Sequence, residues 1–307
     1  MSTMSTMSTF QIGNAPCSWG KIENTAGSQQ IGYAQMLDEL AATGYVGTEL
    51  GDLGYMPTDP NKLRAELAAR DLQLIGSWVT VRLYDADYHQ QGLERALKVA
   101  RLLAEVGGEH CVINIGDDHS TVPSRLDNTG RIQPEHALPD DQWASYVEGA
   151  NMVAEAVKKE TGLRSCLHHH GSTYVETPAE IEKFLSLTDP NLLGICFDTG
   201  HYLLGGGDPV AGIHKHADRI TLVHFKDFLP EVVAKADEHA WNYQDLVGQG
   251  MFCELGQGSV DFAAVTHALE DIGYQGWLVV EQDVLPGMGT PKASAQRNRD
   301  YLASLGL

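Results

Sequence analysis

Four apolar runs in the second half of this 307-residue chain end in side chains able to bind a cation or move a proton. They end His168-His169-His170-Gly171, Phe197-Asp198-Thr199-Gly200-His201, Val223-His224-Phe225-Lys226-Asp227 and Val280-Glu281-Gln282-Asp283. Side chains along a strand alternate between its two faces. His168 and His170 therefore share one face, His169 turns toward the other, and His224 and Lys226 share a face. His168, Asp198, His224 and Glu281 then offer two imidazoles and two carboxylates from four adjacent strands. Such a mixed nitrogen and oxygen set suits a divalent transition ion, Mn2+ or Co2+ in the first place and Zn2+ or Fe2+ after them. Mg2+ is admissible but favours more oxygen ligands. Any one of these residues alone is more often a hydrogen-bonded core or capping group than a ligand. Their recurrence at four consecutive strand ends is what points to a metal site.

Other side chains are candidates on weaker grounds. Glu49 ends an earlier apolar run and is placed to act as a base or to accept a substrate hydroxyl; a salt bridge inside the fold is the plainer alternative. Lys226 is expected to pair with Asp227 or to donate to a substrate oxygen. Trp19 and Trp78 end two further runs, either as core plugs or as a wall for the apolar face of a sugar ring. His169 reads as partly exposed, His214 and His216 read as solvated, and Arg219, before a strand, reads as structural. The five cysteines (Cys17, Cys111, Cys166, Cys196 and Cys253) include no CxxC pair, and four lie in apolar runs. They read as buried, reduced thiols of a cytoplasmic protein without disulfides.

These side chains need elements to hold them, and the chain alternates two kinds of segment throughout. Eight runs rich in β-branched, aliphatic and aromatic residues predict strands over 11–19, 46–51, 73–81, 110–116, 163–170, 193–198, 220–226 and 277–282. Eight segments of helical spacing follow them, over 31–43, 61–69, 92–106, 141–160, 178–187, 209–217, 262–272 and 292–304. Thr177-Pro178-Ala179-Glu180 carries a capping hydroxyl, a proline at the first helical position and a carboxylate at the third. Gly44, Gly107, Gly162 and Gly273 stand where helices end. Strict alternation implies a parallel sheet, and eight units in about 300 residues match a single-domain (β/α)8 barrel, with strand ends gathered at one rim. An open doubly wound sheet usually carries a glycine-rich phosphate turn after its first strand, and Trp19-Gly20-Lys21-Ile22-Glu23 is not one. The Gly-Tyr-x-Gly turn at 44–47 recurs at 273–276, an echo consistent with closure. Two long connections, 117–139 and 228–259, follow strands and so lie over the same rim. Loops of that length are often lids, and Trp241, Tyr243 and Phe252 favour order in the second. Residues 1–9, MSTMSTMST, have neither a basic nor an apolar region and read as a disordered leader ahead of a barrel over 10–307.

Charge narrows the partners. Lys plus Arg number 21 and Asp plus Glu 41, giving a net charge of −20. Such a chain repels phosphate backbones and anionic membrane surfaces, so no nucleic acid and no membrane partner is expected. No apolar stretch is long enough for a membrane span. Neutral small molecules and metal ions fit better.

The motifs HHHG with the following YVET, FDTGH, RITLVHFKD, GMFCELGQGSVDF, GYQGWLVVEQD and GTELG resemble the xylose-isomerase-like barrel superfamily of sugar isomerases and epimerases, and within it the inosose (2-keto-myo-inositol) dehydratase branch. That superfamily commonly places Glu, Asp, His and Glu at four metal positions. Here His168 stands at the first, as in the dehydratase-like branch, and Asp198, His224 and Glu281 match the others. The resemblance implies a keto-polyol substrate, a metal-assisted loss of the proton beside its ketone through an enediolate, and then loss of the β-hydroxyl. Reprotonation instead would make the protein an isomerase or epimerase, and a 3-keto-glycoside lyase or a sugar-binding barrel without turnover are further alternatives. His170 and His201 are the expected proton-transfer groups, with Glu49 and Lys226 assisting. Barrels of this kind are usually dimers or tetramers.

Overall fold

A computed structural model describes residues 10–20 and 31–307; the leader over 1–9 and the turn residues Lys21, Ile22 and Glu23 lie outside the described residues. The strands are β1 (Gln11–Asn14), β2 (Gly47–Thr48), β3 (Gln73–Leu74 and Gly76–Thr80, with Ile75 between), β4 (Val112–Gly116), β5 (Arg164–His168), β6 (Leu193–Asp198), β7 (Ile220–Phe225) and β8 (Trp277–Val280). Every pairing among them is parallel, and β8 pairs with β1. The two halves of β3 pair with β2 and β4 respectively, and the Ile75 N–H donates to Thr48 while its carbonyl accepts from Val112. The sheet therefore closes on itself as a (β/α)8 barrel, and the open sheet is excluded.

Around it run α1 (Tyr33–Ala42), α2 (Pro60–Ala68), α3 (His89–Val106), α4 (Trp143–Thr161), α5 (Pro178–Leu187), α6 (Pro209–Lys215), α7 (Phe262–Asp271) and α8 (Pro291–Ser304). Four of these begin with an oxygen-bearing cap followed by proline, at Asp59, Thr177, Asp208 and Thr290, and each cap side chain accepts a backbone N–H from the first turn. The Thr177/Glu180 capping box forms in both directions. Gly44, Gly162 and Gly273 adopt positive φ, whereas after α3 the left-handed residue is Gly108 rather than Gly107.

The expected first strand is too long. Pro16 has no N–H for a ladder, and residues Pro16–Trp19 form a 3-10 turn that buries Trp19 completely, with its indole donating to Glu39 at 2.8 Å. The strand expected over 193–198 ends at Asp198 as read, and the Asp198 side chain caps a short helix, Thr199–Leu204. His214 is exposed as expected, but His216 is buried beside Tyr202. Arg219 is structural, donating to the carbonyls of Leu185 and Leu193 and to Thr188.

Both long connections are ordered over the rim. Residues 117–139 contain the helix Pro123–Asp127, and Arg125 is fully buried, bidentate to Glu180 at 2.8 and 3.0 Å and 3.9 Å from Glu176. Glu176 in turn accepts the N–H groups of Gly130 and Ser172, each at 2.7 Å. The second connection carries three short helices, Pro230–Val233, Ala236–His239 and Tyr243–Gly248. Its ends are joined by one side chain. The Asp227 carboxylate accepts the N–H groups of Phe228, Gly256 and Gly258 at 2.8 Å and Val260 at 3.1 Å. Replacing Arg125 by Met leaves two buried carboxylates without their cation, a loss of about 3–5 kcal/mol. Chemical denaturation of Arg125→Met should read that loss; stability equal to the parent's would show that the pair is dispensable.

Candidate metal centre and active site

The closed barrel brings the four predicted ligands to one point. His168 Nε2 lies 3.0 Å from His224 Nδ1 and 3.6 Å from Asp198 Oδ2, and His224 Nδ1 lies 3.3 Å from Glu281 Oε1. One donor atom from each of the four residues falls within 4.8 Å of all the others. Asp198 Oδ1 is engaged by the His201 N–H at 2.8 Å, but Asp198 Oδ2 is buried with no hydrogen-bond partner. An unpartnered buried carboxylate oxygen facing two imidazole nitrogens and a second carboxylate fits a divalent cation. Burial opposes charge on His224, yet Cys196, Glu281 and Glu49 around it outweigh burial and hold its pKa well above the ordinary value. Without an ion, a proton on His224 takes part of the cation's role, so ion and proton compete for the site.

Glu49 stands on the other side of that imidazole. Its Oε1 lies 3.4 Å from His224 Nε2, so it is placed to orient the ring while it also lines the cleft. A carboxylate on the far nitrogen of a ligating histidine is the usual outer partner of such a site.

Above the four residues opens a cleft of ≈280 Å³, walled by Trp78, His119, His170, Lys226, Asp52 and Asp283. Trp78 meets His168 and His170 edge-on at 5.1 and 5.6 Å. It reaches this position because Gly116 lies beneath its ring; a Cβ there would fall 1.9 Å from the indole. Of the two tryptophans, Trp78 is the wall and Trp19 the core plug. His170 donates from Nδ1 to the Gly171 carbonyl at 2.7 Å, which leaves Nε2 to accept from the Tyr243 hydroxyl at 3.3 Å. Burial, with the charges of His119, His168 and Lys226, holds the His170 pKa well below its ordinary value. His201 stacks behind it at 3.9 Å, accepting the Gly171 N–H at Nδ1, and does not line the cleft. The structure therefore brings His170, and not His201, to the place where a substrate would bind.

Two expectations are corrected here. His169 is fully buried rather than partly exposed, and its Nε2 accepts the Asp198 N–H at 3.1 Å; burial pushes its pKa down to about 3. Lys226 does not pair with Asp227, whose oxygens hold the loop. Its ammonium lies 3.2 Å from Glu281 Oε2 and 3.7 Å from Asp283 Oδ2. Burial would lower the Lys226 pKa, but Asp283, Glu281 and Asp198 outweigh it and keep the ammonium charged. The cysteines are free; four are buried, and Cys17, half-buried, lines the cleft with its thiol pushed well above the usual range by burial and neighbouring carboxylates. Asp52, His119 and Tyr243 were not singled out as site residues. The position of 117–139 and 228–259 after strands is the signal that could have drawn attention to His119 and Tyr243.

The chain belongs to the xylose isomerase-like TIM barrel family, whose model matches residues 37–305. Within the curated proteins it is similar to an inosose dehydratase of Geobacillus kaustophilus (strain HTA426), 33% identical over 98% of this chain and 96% of that one. An inosose dehydratase of Lacticaseibacillus casei is 30% identical over 96% of each chain. Among solved structures, a D-psicose 3-epimerase with D-tagatose from Clostridium cellulolyticum H10 superposes with a TM-score of 0.68 at 17% identity, over 96% of this chain and 99% of that one, a likeness of fold alone. No helix among the described residues is long and apolar enough to cross a membrane.

Glu49→Gln should lower divalent-ion affinity by about 10–100-fold through the loosened His224 ring. Calorimetric titration with Mn2+ measures this, and an unchanged affinity would leave Glu49 to the cleft alone. His224→Ala should abolish both retention of the ion and turnover; full occupancy by elemental analysis would remove His224 from the ligand set.

Proposed function

We propose that this protein is a metal-dependent hydro-lyase that dehydrates a keto-inositol, as the inosose dehydratases do by name. The observation that carries the reading is the likeness to those dehydratases over nearly the whole of both chains. The site supports it. His168, Asp198, His224 and Glu281 would hold the ion, which when bound supplies Lewis-acid polarisation of the substrate's ketone. The remaining work falls to side chains. His170, neutral through burial, takes the proton from the carbon beside the ketone at Nε2, exchanging the Tyr243 hydroxyl for substrate. Lys226, held charged by Glu281 and Asp283, gives a proton to the departing β-hydroxyl, which leaves as water. Return of the proton from His170 to Lys226 closes the cycle. Asp52 and Asp283 accept hydroxyl hydrogens of the ring, and Trp78 covers its apolar face. The cleft's carboxylates suit a neutral polyol, and Mn2+ or Co2+ suits the donor set.

Proton NMR in heavy water with 2-keto-myo-inositol and the Mn2+- or Co2+-supplemented protein tests this. The spectrum of a dehydrated diketone is the expected result. Deuterium uptake without dehydration would make the protein an isomerase or epimerase instead, and no change would send the search to other keto-sugars. Lys226→Met should retain the ion and lose about 10²–10⁴-fold in kcat, the range of a general acid.

A further inference from the structure

One buried nucleophile beside the four donors has no part in that chemistry. Cys196 stands two residues before Asp198 on β6, on the same face of the strand, and is paired in register with His168 of β5. It is completely buried among Cys166, Leu222 and Val279 in the apolar inner layer of the barrel. One ligand atom each from His168, Cys196 and His224 lie within 4.8 Å of one another, as tight a grouping as the four-residue set. The two sets share both histidines and differ in what completes them: two carboxylates toward the cleft, or one thiol toward the barrel core.

We propose that the centre has a second coordination mode, in which His168, Cys196 and His224 hold a thiophilic divalent ion such as Zn2+ or Cd2+. This rests on His168 and His224 being ligands. A thiolate is a soft donor that favours Zn2+ and Cd2+, while the carboxylates suit Mn2+ and Co2+, so the same two histidines serve ions of different character. On binding, the sulfur–metal bond replaces the S–H bond and the thiol proton leaves to solvent; no oxidation or reduction occurs. Because the histidines belong to both modes, an ion in the deeper one withdraws them from Asp198 and Glu281. Zn2+ therefore excludes Mn2+ by taking its ligands, without entering the cleft.

X-ray absorption at the zinc edge, on the full chain and on Cys196→Ser, decides the matter. The expected first shell of the parent contains one sulfur at about 2.3 Å, absent from the variant. Zn2+ affinity of Cys196→Ser should fall at least about tenfold, the loss that removal of even an outer partner brings, while Mn2+ affinity stays that of the parent and shows the variant to be folded. A shell of nitrogen and oxygen only in the parent would overturn the thiol mode and leave the four-donor centre intact. Failure of the parent to bind either ion would overturn both.

Discussion

Two carboxylates and two imidazoles packed within 4.8 Å of one another at the end of a closed sheet are costly unless positive charge is shared among them. The rest of the rim follows from that constraint. Asp198 is held by the first turn of the helix it caps, Glu281 by Lys226, and His224 between Glu281 on one nitrogen and Glu49 on the other. Asp198 and Glu281 thus each have a second partner that leaves one oxygen to face the centre, whereas Nδ1 of His168 is buried with no hydrogen-bond partner. Asp198, with Oδ1 engaged by the helix it caps and Oδ2 buried and unpartnered, is better suited to a cation than to the protein alone.

Closure of the barrel supplies the convergence, and two buried ionic clamps supply the cover. Asp227 gathers four backbone N–H groups from the two ends of the second long connection, which brings Tyr243 to His170. Arg125 with Glu176 and Glu180 ties the first connection to the start of α5 and to the residues following β5. Both clamps use charged groups below the surface, where a lost partner costs far more than at an exposed salt bridge. The loops beside the cleft are thus tied down through buried groups.

Much of this was legible in the residues. Apolar runs ending in His, Asp and Glu located the strand ends, and the proline-bearing caps located the helix starts to within a residue or two. What the pattern hid has local causes. Pro16 cut a strand that hydrophobicity alone extends to Trp19. Asp198 reads as the last residue of a strand and also caps the next helix, so the turn Thr199–Leu204 disappeared into the motif. His169 and His216 look solvent-facing by spacing, but their burial depends on a neighbouring strand's N–H and on a tyrosine ring, both tertiary partners. Lys226 was paired with the wrong acid because Asp227, its chain neighbour, turns its oxygens to backbone 30 residues further on. Contacts within one element are written in periodicity; contacts between loops are not.

The histidine at position 168 has a consequence for the division of labour. A barrel of this family with Glu, Asp, His and Glu at the four positions carries three carboxylates, one of them free to move a proton. With His168 there are two, which a divalent ion held there would neutralise, and no carboxylate is left over at the first position. Proton transfer must then come from elsewhere on the same rim. His170, two residues along the same strand face, lining the cleft and held neutral by burial, is a group able to accept one. Lys226, on the face shared with His224 and 3.2 Å from Glu281, is a charged donor at the same centre. A neutral base and a cationic acid flanking one ion suit removal of a proton and a hydroxyl from adjacent carbons better than they suit delivery of the same proton back, since the acid has a leaving group to protonate. In the proposed mechanism, histidine rather than glutamate at position 168 would thereby favour dehydration over epimerisation.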